Sequence, residues 1–400
     1  MRLTNEEQDM LNGKKGPAVK KAMEIVTALA NIYGAEELAP VKSVNVSGVS
    51  YKNLGEWGLE FLNDWAQQGA RITVPTTLNP AGMDLQDWKD QKGVSEEFAK
   101  NQDRVVKAFA KMGIPSTCTC TPYLIGNEPS LGQHIAWGES SAVCYANSVL
   151  GARTNREGGP SALASAICGR TGKFGYHLDE NRKAGVLVDV KCPMAKDSDF
   201  GALGNMIGKK LKNDVPYFRG IKAATRDQLK ALGASLAAWG GVALYHVEGV
   251  TPEARAGKML KDTHTTVTID SLAEGYKAMN CDSDEIDFVG IGCPHASKEE
   301  IEKIASLVAG KKLKAMLWVT TARTTKEKVP AAVKTIREAG GQVLADTCVV
   351  VAPFKETGYK RIATNSGKMA YYAPNSCGVT VRYGTMEQCI TAAIKGKWSE

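Results

Sequence analysis

Three cysteines near the C-terminus are the first residues whose type and spacing could do chemistry. Cys293 and Cys348 each follow a short apolar run, and Cys377 lies in the segment 374–378. Three thiolates can hold an iron–sulfur cluster and leave one iron open. An open iron is a Lewis acid that binds a hydroxyl and a carboxylate together and so favours loss of the hydroxyl as water. We therefore predict these three cysteines as cluster ligands.

The third ligand has competitors in this sequence. Cys118 and Cys120 form a Cys-Thr-Cys run, whose two thiols would share one face of a strand. Cys192, which precedes a proline, is a further candidate. Another interpretation is that all of these are unrelated buried thiols, because a buried cysteine often serves only as a small hydrophobic residue.

A second group of residues is suited to binding anions. Arg153 and Arg156, with Thr154 and Asn155 between them, precede paired glycines. Two arginines with free backbone N–H groups make an anion cradle. The alternative is that both arginines belong to surface or interlobe ion pairs.

A predicted helix over 139–150 offers another anion site just before these arginines. It begins at Glu139, Ser140 and Ser141. The N-terminus of a helix presents free N–H groups and the positive end of its dipole, which suits a carboxylate or a phosphate. His295, two residues after Cys293, is a candidate hydrogen-bond donor to substrate or to a sulfur, although a lone histidine is more often structural.

Strands alternating with helices must position the C-terminal cysteines. Apolar runs at 286–291, 314–320 and 342–345 read as strands, and a capping box at Ser297 and a helix over 326–339 lie between them. This alternation predicts a parallel sheet with right-handed crossovers. Sites in such sheets lie beyond the C-terminal strand ends, so the thiols of the first two cysteines should meet at one edge.

The N-terminal part predicts further α/β structure. We expect strands over 42–51, 71–74 and a short β-like run over 117–122, and a helix over 54–68. In that helix Trp57, Phe61 and Trp65 recur every fourth residue, which is typical of a core stripe. A chain of 400 residues exceeds one core, so we divide it into N-terminal lobes (1–285) and a C-terminal lobe (286–400) around a shared cleft.

Composition narrows the class of protein. The net charge is +7 and the basic residues are scattered, which argues against nucleic acid and fits a small anionic substrate. No apolar run approaches the ~18 residues of a membrane span, and the N-terminus lacks an apolar signal core. We therefore expect a cytoplasmic protein whose ten cysteines stay reduced.

Several runs together resemble one family. Gly292-Cys293-Pro294-His295, Asp346-Thr347-Cys348 and the segment 364–372 take the places of cluster and substrate motifs in the aconitase superfamily, and their form resembles its aconitase X branch. The other matching runs are 47–53 (Ser-Gly-Val-Ser-Tyr-Lys-Asn), 75–80 (Pro-Thr-Thr-Leu-Asn-Pro), 138–142 (Gly-Glu-Ser-Ser-Ala) and 152–159 (Ala-Arg-Thr-Asn-Arg-Glu-Gly-Gly). The resemblance covers nearly the whole chain.

This resemblance implies an α/β, aconitase-like architecture of parallel-sheet lobes around a central cleft. It also implies a hydro-lyase with a 4Fe–4S cluster on three cysteines. Lys368 stands where the wider superfamily has arginine, so it should pair with a substrate carboxylate as a point charge. The other substrate-binding residues implied by the motifs, besides those from 139 to 156 named above, are Ser47, Gly48, Asn79, Asn365 and Ser366.

The resemblance further implies a partner. In the superfamily a serine base lies in a separate swivelling domain, and no stretch of this chain is left over for it. We therefore expect a large subunit that works with a small swivel-domain subunit, as a heterodimer or a heterotetramer. The catalytic base is expected on that partner.

Two chemistries are known in the family. Archaeal two-subunit members dehydrate (R)-5-phosphomevalonate to trans-anhydromevalonate 5-phosphate, and bacterial members dehydrate cis-3-hydroxy-L-proline. The arginines at 153 and 156 favour the phosphorylated substrate, whereas a zwitterion would need a carboxylate such as Glu139 or Glu157. A non-catalytic, cluster-bearing and ligand-binding subunit is the alternative from another class, and the anion-binding motifs argue against it.

Overall fold

Four sheets and fifteen α-helices organise the chain in this computed structural model, which describes residues 1–211 and 213–399. Three of the sheets are parallel, with five, four and three strands, and a two-stranded sheet is antiparallel. No helix among the described residues is long and apolar enough to cross a membrane.

The first part of the chain carries the three-stranded sheet, in the order β3-β2-β4, and the antiparallel pair β1-β5. Its strands are β1 (Leu38–Pro40), β2 (Val44–Val46), β3 (Thr76–Leu78), β4 (Ala136–Trp137) and β5 (Arg170–Gly172). Its helices are α1 (Asn5–Leu11), α2 (Pro17–Ile32), α3 (Tyr51–Gln67), α4 (Glu96–Lys111), α5 (Ser140–Tyr145) and α6 (Gly159–Cys168). A π-helical turn, Ala146–Leu150, continues α5, so the predicted helix over 139–150 forms in two pieces.

Two predictions for this region are wrong. Residues 71–74 are not a strand, because Ile72 and Thr73 donate their backbone hydrogen bonds to Met112 and Ala166, which are not in a neighbouring strand. Trp57 is 84% exposed, whereas Trp65 is fully buried. A strict four-residue spacing drifts around a helix by about 40° per step, which carries the first tryptophan of the stripe into solvent.

The second part carries the four-stranded sheet, in the order β8-β7-β6-β9. Its strands are β6 (Ala184–Val190), β7 (Pro216–Arg219), β8 (His246–Val247) and β9 (Leu260–Ile269). Its helices are α7 (Asp197–Leu211), α8 (Arg226–Gly240), α9 (Pro252–Ala256) and α10 (Ala273–Lys277). Helices α7 and α8 pack closely at Gly204, where a Cβ atom would lie 2.6 Å from the Ser235 side chain.

The third part carries the five-stranded sheet, in the order β12-β11-β10-β13-β14. Its strands are β10 (Phe288–Ile291), β11 (Met316–Thr321), β12 (Gln342–Ala345), β13 (Arg361–Thr364) and β14 (Thr380–Tyr383). Its helices are α11 (Lys298–Val308), α12 (Arg323–Glu327), α13 (Pro330–Ala339), α14 (Gly367–Cys377) and α15 (Met386–Lys395). The predicted helix over 326–339 is divided, because Pro330 lacks an N–H and starts a new helix instead.

The parallel register places the loops after β10, β12 and β13 at one edge of the sheet. Strands β10, β12 and β13 end at Ile291, Ala345 and Thr364, and all lie parallel to their neighbours. The loops that follow them therefore emerge side by side at the C-terminal edge of the sheet. The α/β class is thus confirmed, and the first and third parts meet at this edge.

Candidate active site

A cavity of about 510 Å³ opens at the C-terminal edge of the five-stranded sheet, and we call it the main cavity. Its walls come from the loop after β2, the end of β3, the start of α5, the segment before α6 and the loops after β10, β12 and β13. Eleven of the residues proposed from the sequence, including one alternative ligand and one alternative carboxylate, line it: Ser47, Gly48, Asn79, Cys120, Glu139, Ser140, Arg156, Glu157, Cys293, Cys348 and Lys368.

The loop after β10 holds Cys293 at the floor of the cavity. Gly292 adopts a φ of 98°, and a Cβ atom there would lie 2.1 Å from the Thr320 carbonyl oxygen, so only glycine fits this turn. The Thr320 hydroxyl donates to the Gly292 carbonyl at 2.8 Å. The Ser366 hydroxyl, after β13, donates to the Cys293 carbonyl. Both neighbouring strand ends therefore fix this cysteine.

The loop after β12 holds Cys348. Asp346 has a left-handed φ of 64°, and its carbonyl accepts the Ala81 N–H at 2.7 Å. Arg323 pairs with the Asp346 carboxylate at 2.6 Å and also with Asp84, which is fully buried. Burial raises the pKa of Asp346 to about 6, although Arg323 opposes the rise. This network ties the cysteine loop to the first part of the chain.

The Cys-Thr-Cys run contributes one thiol, and not two, to the main cavity. Residues 117–122 do not form a strand; Cys118 makes an isolated bridge to Leu78, and a 3₁₀ turn begins at Pro122. The prediction that both thiols share one face is therefore wrong. Cys120 lines the main cavity, whereas Cys118 is buried outside it. We call Cys120, Cys293 and Cys348, with the loops that carry them, the cysteine edge.

Cys377 and Cys192 lie outside the main cavity. Cys377 is the last residue of α14, a helix that starts at the cysteine edge and leads away from it. Its Sγ lies 3.8 Å from the Val349 carbonyl oxygen, within the hydrophobic core. Cys192 follows β6 in the second part and packs against the same core. The structure therefore brings together a different trio from the one first predicted.

The pKa values of the three thiols of the cysteine edge are all shifted in the same direction. Burial raises the pKa of Cys293 to about 12 and that of Cys120 well above its usual range. Burial also raises the pKa of Cys348. All three are therefore protonated thiols near pH 7, and a metal bound by them would have to displace their protons.

The arrangement fits a cluster better than a single ion. Within residues 1–211 and 213–399, no three His, Cys, Asp or Glu side chains converge closely enough to hold one metal ion. In a cluster each cysteine binds a different iron, so the thiols must surround the cluster and need not converge on one point. Three buried thiols from separate loops that line one cavity meet this requirement.

His295 is near the thiols but does not reach the main cavity. Its side chain is fully buried, and both ring nitrogens are engaged, with the Thr119 hydroxyl and the Thr347 carbonyl. Burial lowers the pKa of His295 to about 4, so the ring is neutral near pH 7. The structure therefore gives no support to direct substrate contact by this histidine.

A buried ion pair fills the place where we expected an anion to bind. Glu139 is the N-cap of α5, and its carboxylate accepts hydrogen bonds from the Ala142 N–H and the Ser141 hydroxyl, each at 2.6 Å. Lys368 pairs with the same carboxylate and lies 3.1 Å from the Ser141 hydroxyl. Although burial opposes both charges, each partner stabilises the other, so the pKa of Glu139 falls and that of Lys368 rises. The helix N-terminus is thus already occupied.

Residues 151–159, which we call the arginine segment, do not form the predicted two-arginine cradle. Arg153 turns away from the main cavity, because its guanidinium pairs with Asp179 and donates to the His177 carbonyl at 3.1 Å. Arg156 lines the cavity and is exposed. Within residues 1–211 and 213–399, its side chain has no ion pair.

Glu157, beside that exposed arginine, is engaged elsewhere. Its carboxyl accepts hydrogen bonds from the hydroxyls of Ser161 at 2.6 Å and Thr171 at 2.9 Å. Burial raises the pKa of Glu157. A cavity-lining carboxyl whose charge is disfavoured by burial, and which already has two donors, is a poor partner for a substrate ammonium.

The remaining predicted residues lie next to the main cavity and do not line it. Thr154 and Asn155 are bonded to backbone groups of Trp137, Phe174 and Tyr176, and so shape the arginine segment. Asn365, Ser366 and Cys293 line a smaller cavity behind the cysteine edge. Ser141 supports Glu139 but does not line the main cavity.

Sequence reasoning did not assign several cavity-lining residues as contacts with substrate, among them Ser50, Asn53, Gly158 and Tyr372. Two of them lie in the run 47–53 that carried the family resemblance, so the signal was present. Tyr372 lies on α14 four residues after Lys368, and helical periodicity could have placed both on one face.

Family models agree with this geometry over most of the chain. Models of the aconitase X first, second and third domains match residues 1–180, 184–277 and 286–395. A solved structure described as aconitase X from Thermococcus kodakaraensis, in its holo-form, superposes with a TM-score of 0.91 at 48% identity. It covers 98% of this chain and 100% of that one.

Curated relatives fall into two groups. The phosphomevalonate dehydratase large subunits of Methanocaldococcus jannaschii and Methanothermobacter thermautotrophicus are 47% and 49% identical, over 98% and 95% of this chain and 99% and 96% of their own. The cis-3-hydroxy-L-proline dehydratase of Pseudomonas aeruginosa is 33% identical over 99% of this chain but 70% of its own length. The chain therefore belongs to the aconitase X family.

Proposed function

We propose that this chain is the large subunit of an iron–sulfur hydro-lyase that dehydrates (R)-5-phosphomevalonate to trans-anhydromevalonate 5-phosphate. The relatives named for that activity are the more similar group, at 47% and 49% identity against 33% for the hydroxyproline enzyme. The observation that carries the choice from the structure itself is the set of charges in the main cavity.

Four charged side chains line the main cavity. Glu139 and Lys368 neutralise each other, and Glu157 is bonded to two hydroxyls. Arg156 is left as the charge without a partner within the described residues. A phosphate carries up to two negative charges and accepts several hydrogen bonds, so it suits this free guanidinium. A hydroxyproline ammonium would need a free carboxylate, which this set of side chains does not offer.

We further propose Cys120, Cys293 and Cys348 as the cluster ligands, with Cys120 in place of Cys377. All three are buried and line one cavity, which supports this choice. When bound, an iron–sulfur cluster with one open iron supplies a Lewis acid for a hydroxyl leaving group. The reduced thiols that such ligands require fit the cytoplasm, which remains our proposed location.

The other cavity residues bind and orient the substrate. Arg156 holds the phosphate at the exposed end of the cavity, in a bidentate manner that its planar guanidinium allows. Ser47, Asn79 and Ser140 offer short polar groups along the wall. Lys368 has its positive charge held by Glu139 beside the cysteine edge, where a substrate carboxylate can share the ammonium.

The proton acceptor is proposed to reside on a small swivel-domain subunit. The names of the archaeal relatives, which call them large subunits, imply such a partner for those proteins. The hydroxyproline enzyme is longer than this chain, as expected if it carries the corresponding part in one chain. The cluster-loaded chain alone should therefore show negligible dehydratase activity, and adding the small subunit should restore it. High turnover by the isolated chain would place the base here.

The proposal is tested by a side-by-side assay of the assembled, cluster-loaded enzyme. We expect turnover of 5-phosphomevalonate, poor turnover of unphosphorylated mevalonate and none of cis-3-hydroxy-L-proline. Turnover of hydroxyproline with no activity on phosphomevalonate would reject the substrate, and the iron–sulfur dehydratase assignment would stand.

A further inference from the structure

One buried imidazole contacts the segments of all three proposed ligands. The Nδ1 atom of His295 lies 2.9 Å from the Thr119 hydroxyl oxygen, and Nε2 lies 2.9 Å from the Thr347 carbonyl oxygen. The backbone N–H of His295 donates to the Cys120 sulfur at 3.2 Å. The first threonine directly precedes Cys120 in the sequence, the second directly precedes Cys348, and the histidine itself follows Cys293 by two residues.

The hydrogen bonds of His295 fix one tautomer of the ring. A carbonyl oxygen can only accept, so Nε2 carries the hydrogen that points to Thr347. Nδ1 is then the acceptor for the Thr119 hydroxyl. That hydroxyl oxygen in turn accepts the Thr121 N–H at 3.1 Å. Every polar group in this chain of bonds has a partner, and each bond has a defined direction.

Other contacts hold the loops of Cys293 and Cys348, and one of them also comes from the first part of the chain. Thr320 and Ser366 fix the loop of Cys293, and the Ala81 N–H fixes the loop of Cys348. Within residues 1–211 and 213–399, only His295 makes side-chain hydrogen bonds between the turn 119–121 and the third part of the chain. The ring is therefore the direct side-chain link from the segment of Cys120, which comes from the first part, to the loop of Cys348.

We propose that His295 is a positioning residue for the cluster: its ring sets the distance between the loop of Cys120 and the loop of Cys348, and its N–H orients the Cys120 sulfur. The inference rests on the proposed ligand set. Partners that orient metal ligands affect retention of the metal strongly although they do not touch it, and hydrogen bonds to cluster sulfurs tune the cluster itself.

The test compares two buried histidines in the full chain. His246 is also fully buried and places Nε2 2.8 Å from the Arg182 carbonyl oxygen, but it lies on β8, away from the cysteine edge. We would reconstitute wild type, His295→Gln and His246→Gln anaerobically, then measure iron and sulfide per chain and the rate of bleaching in air. His295→Gln should bleach about 10-fold faster or more. His246→Gln should match wild type.

A second pair decides the question if His295→Gln does not fold. Thr119→Val removes the hydroxyl that donates to the ring, and Thr119→Ser keeps it. The valine variant should bleach faster than wild type, and the serine variant should restore the wild-type rate. Equal rates for His295→Gln and His246→Gln, or for the two Thr119 variants, would overturn the inference. A wild-type chain that takes up no iron and sulfide would instead overturn the proposed function.

Discussion

The cysteine edge and the arginine segment line the same main cavity, but the chain builds them differently. In the cysteine edge, two of three thiols follow strands of one parallel sheet, and hydrogen bonds from adjacent strand ends fix their loops. The arginine segment joins the π-helical turn to α6 with only isolated bridges, from Arg153 to His134 and from Arg156 to Trp137. There the direction of each side chain depends on its own surroundings. Arg153 turns towards Asp179, and Arg156 faces the main cavity.

This difference shows what kind of site a backbone can place by itself. Parallel strands deliver their following loops to one edge whatever the side chains are, so cysteines just after strand ends must meet. An irregular segment has no such constraint. The direction of its side chains depends on residues distant in sequence, such as Asp179 for Arg153.

The largest expected effect comes from removing one thiol of the cysteine edge. Cys348→Ser should lose nearly all of the iron and sulfide that the wild-type chain holds after anaerobic reconstitution, because a serine hydroxyl does not replace a thiolate ligand. Cys389→Ser is the matched control, since Cys389 is also buried but lies on α15, in a different hydrophobic core. Full cluster content in Cys348→Ser would reject this ligand.

The next effect compares two glutamates that line the same cavity. Glu139→Gln leaves the Lys368 ammonium buried without its counter-charge, and we expect it to lower the free energy of unfolding by about 3 kcal/mol. Glu157→Gln in the arginine segment removes no ion pair, so the loss should be under about 1 kcal/mol. Denaturant titration of the metal-free chains measures both. Equal losses would show that the buried ion pair contributes no more to the stability of the chain than the hydrogen bonds of Glu157.

A smaller effect separates the two arginines. Arg156→Ala should raise the KM for 5-phosphomevalonate about 10-fold or more, from ~1.5–3 kcal/mol per charged hydrogen bond. Arg153→Ala should leave KM near the wild-type value, because its guanidinium serves Asp179 and a backbone carbonyl. Steady-state kinetics of the assembled enzyme give both values. An equal rise for Arg153→Ala would restore the two-arginine cradle.

The same difference explains which features of the fold and of the site could be predicted from the sequence. The β12 strand, the capping box at Ser297 and the meeting of Cys293 with Cys348 follow from local patterns and sheet topology. Cys120 could not be chosen over Cys118, because the choice depends on where the turn 119–121 meets His295. The Glu139–Lys368 pair joins residues far apart in sequence, so no local sequence pattern predicts it.

A further effect is a pH dependence near the arginine segment. Burial lowers the pKa of His177, which accepts a hydrogen bond from Arg153 at its carbonyl, to about 3, against about 6.5 in an unfolded chain. The unfolded state then binds more protons between these values, so the stabilisation is full above about pH 6.5 and is lost as the pH falls towards 3. Unfolding free energies at pH 7 and pH 5 should differ less in His177→Gln than in wild type. An unchanged difference would contradict this.

The central claim is that the cysteine edge, and not the end of α14, supplies the third thiol. The most direct measurement is the iron and sulfide content of Cys120→Ser and Cys377→Ser chains, reconstituted anaerobically beside wild type. We predict that Cys120→Ser holds almost no cluster and that Cys377→Ser holds the wild-type amount. A cluster retained in Cys120→Ser and lost in Cys377→Ser would contradict the account.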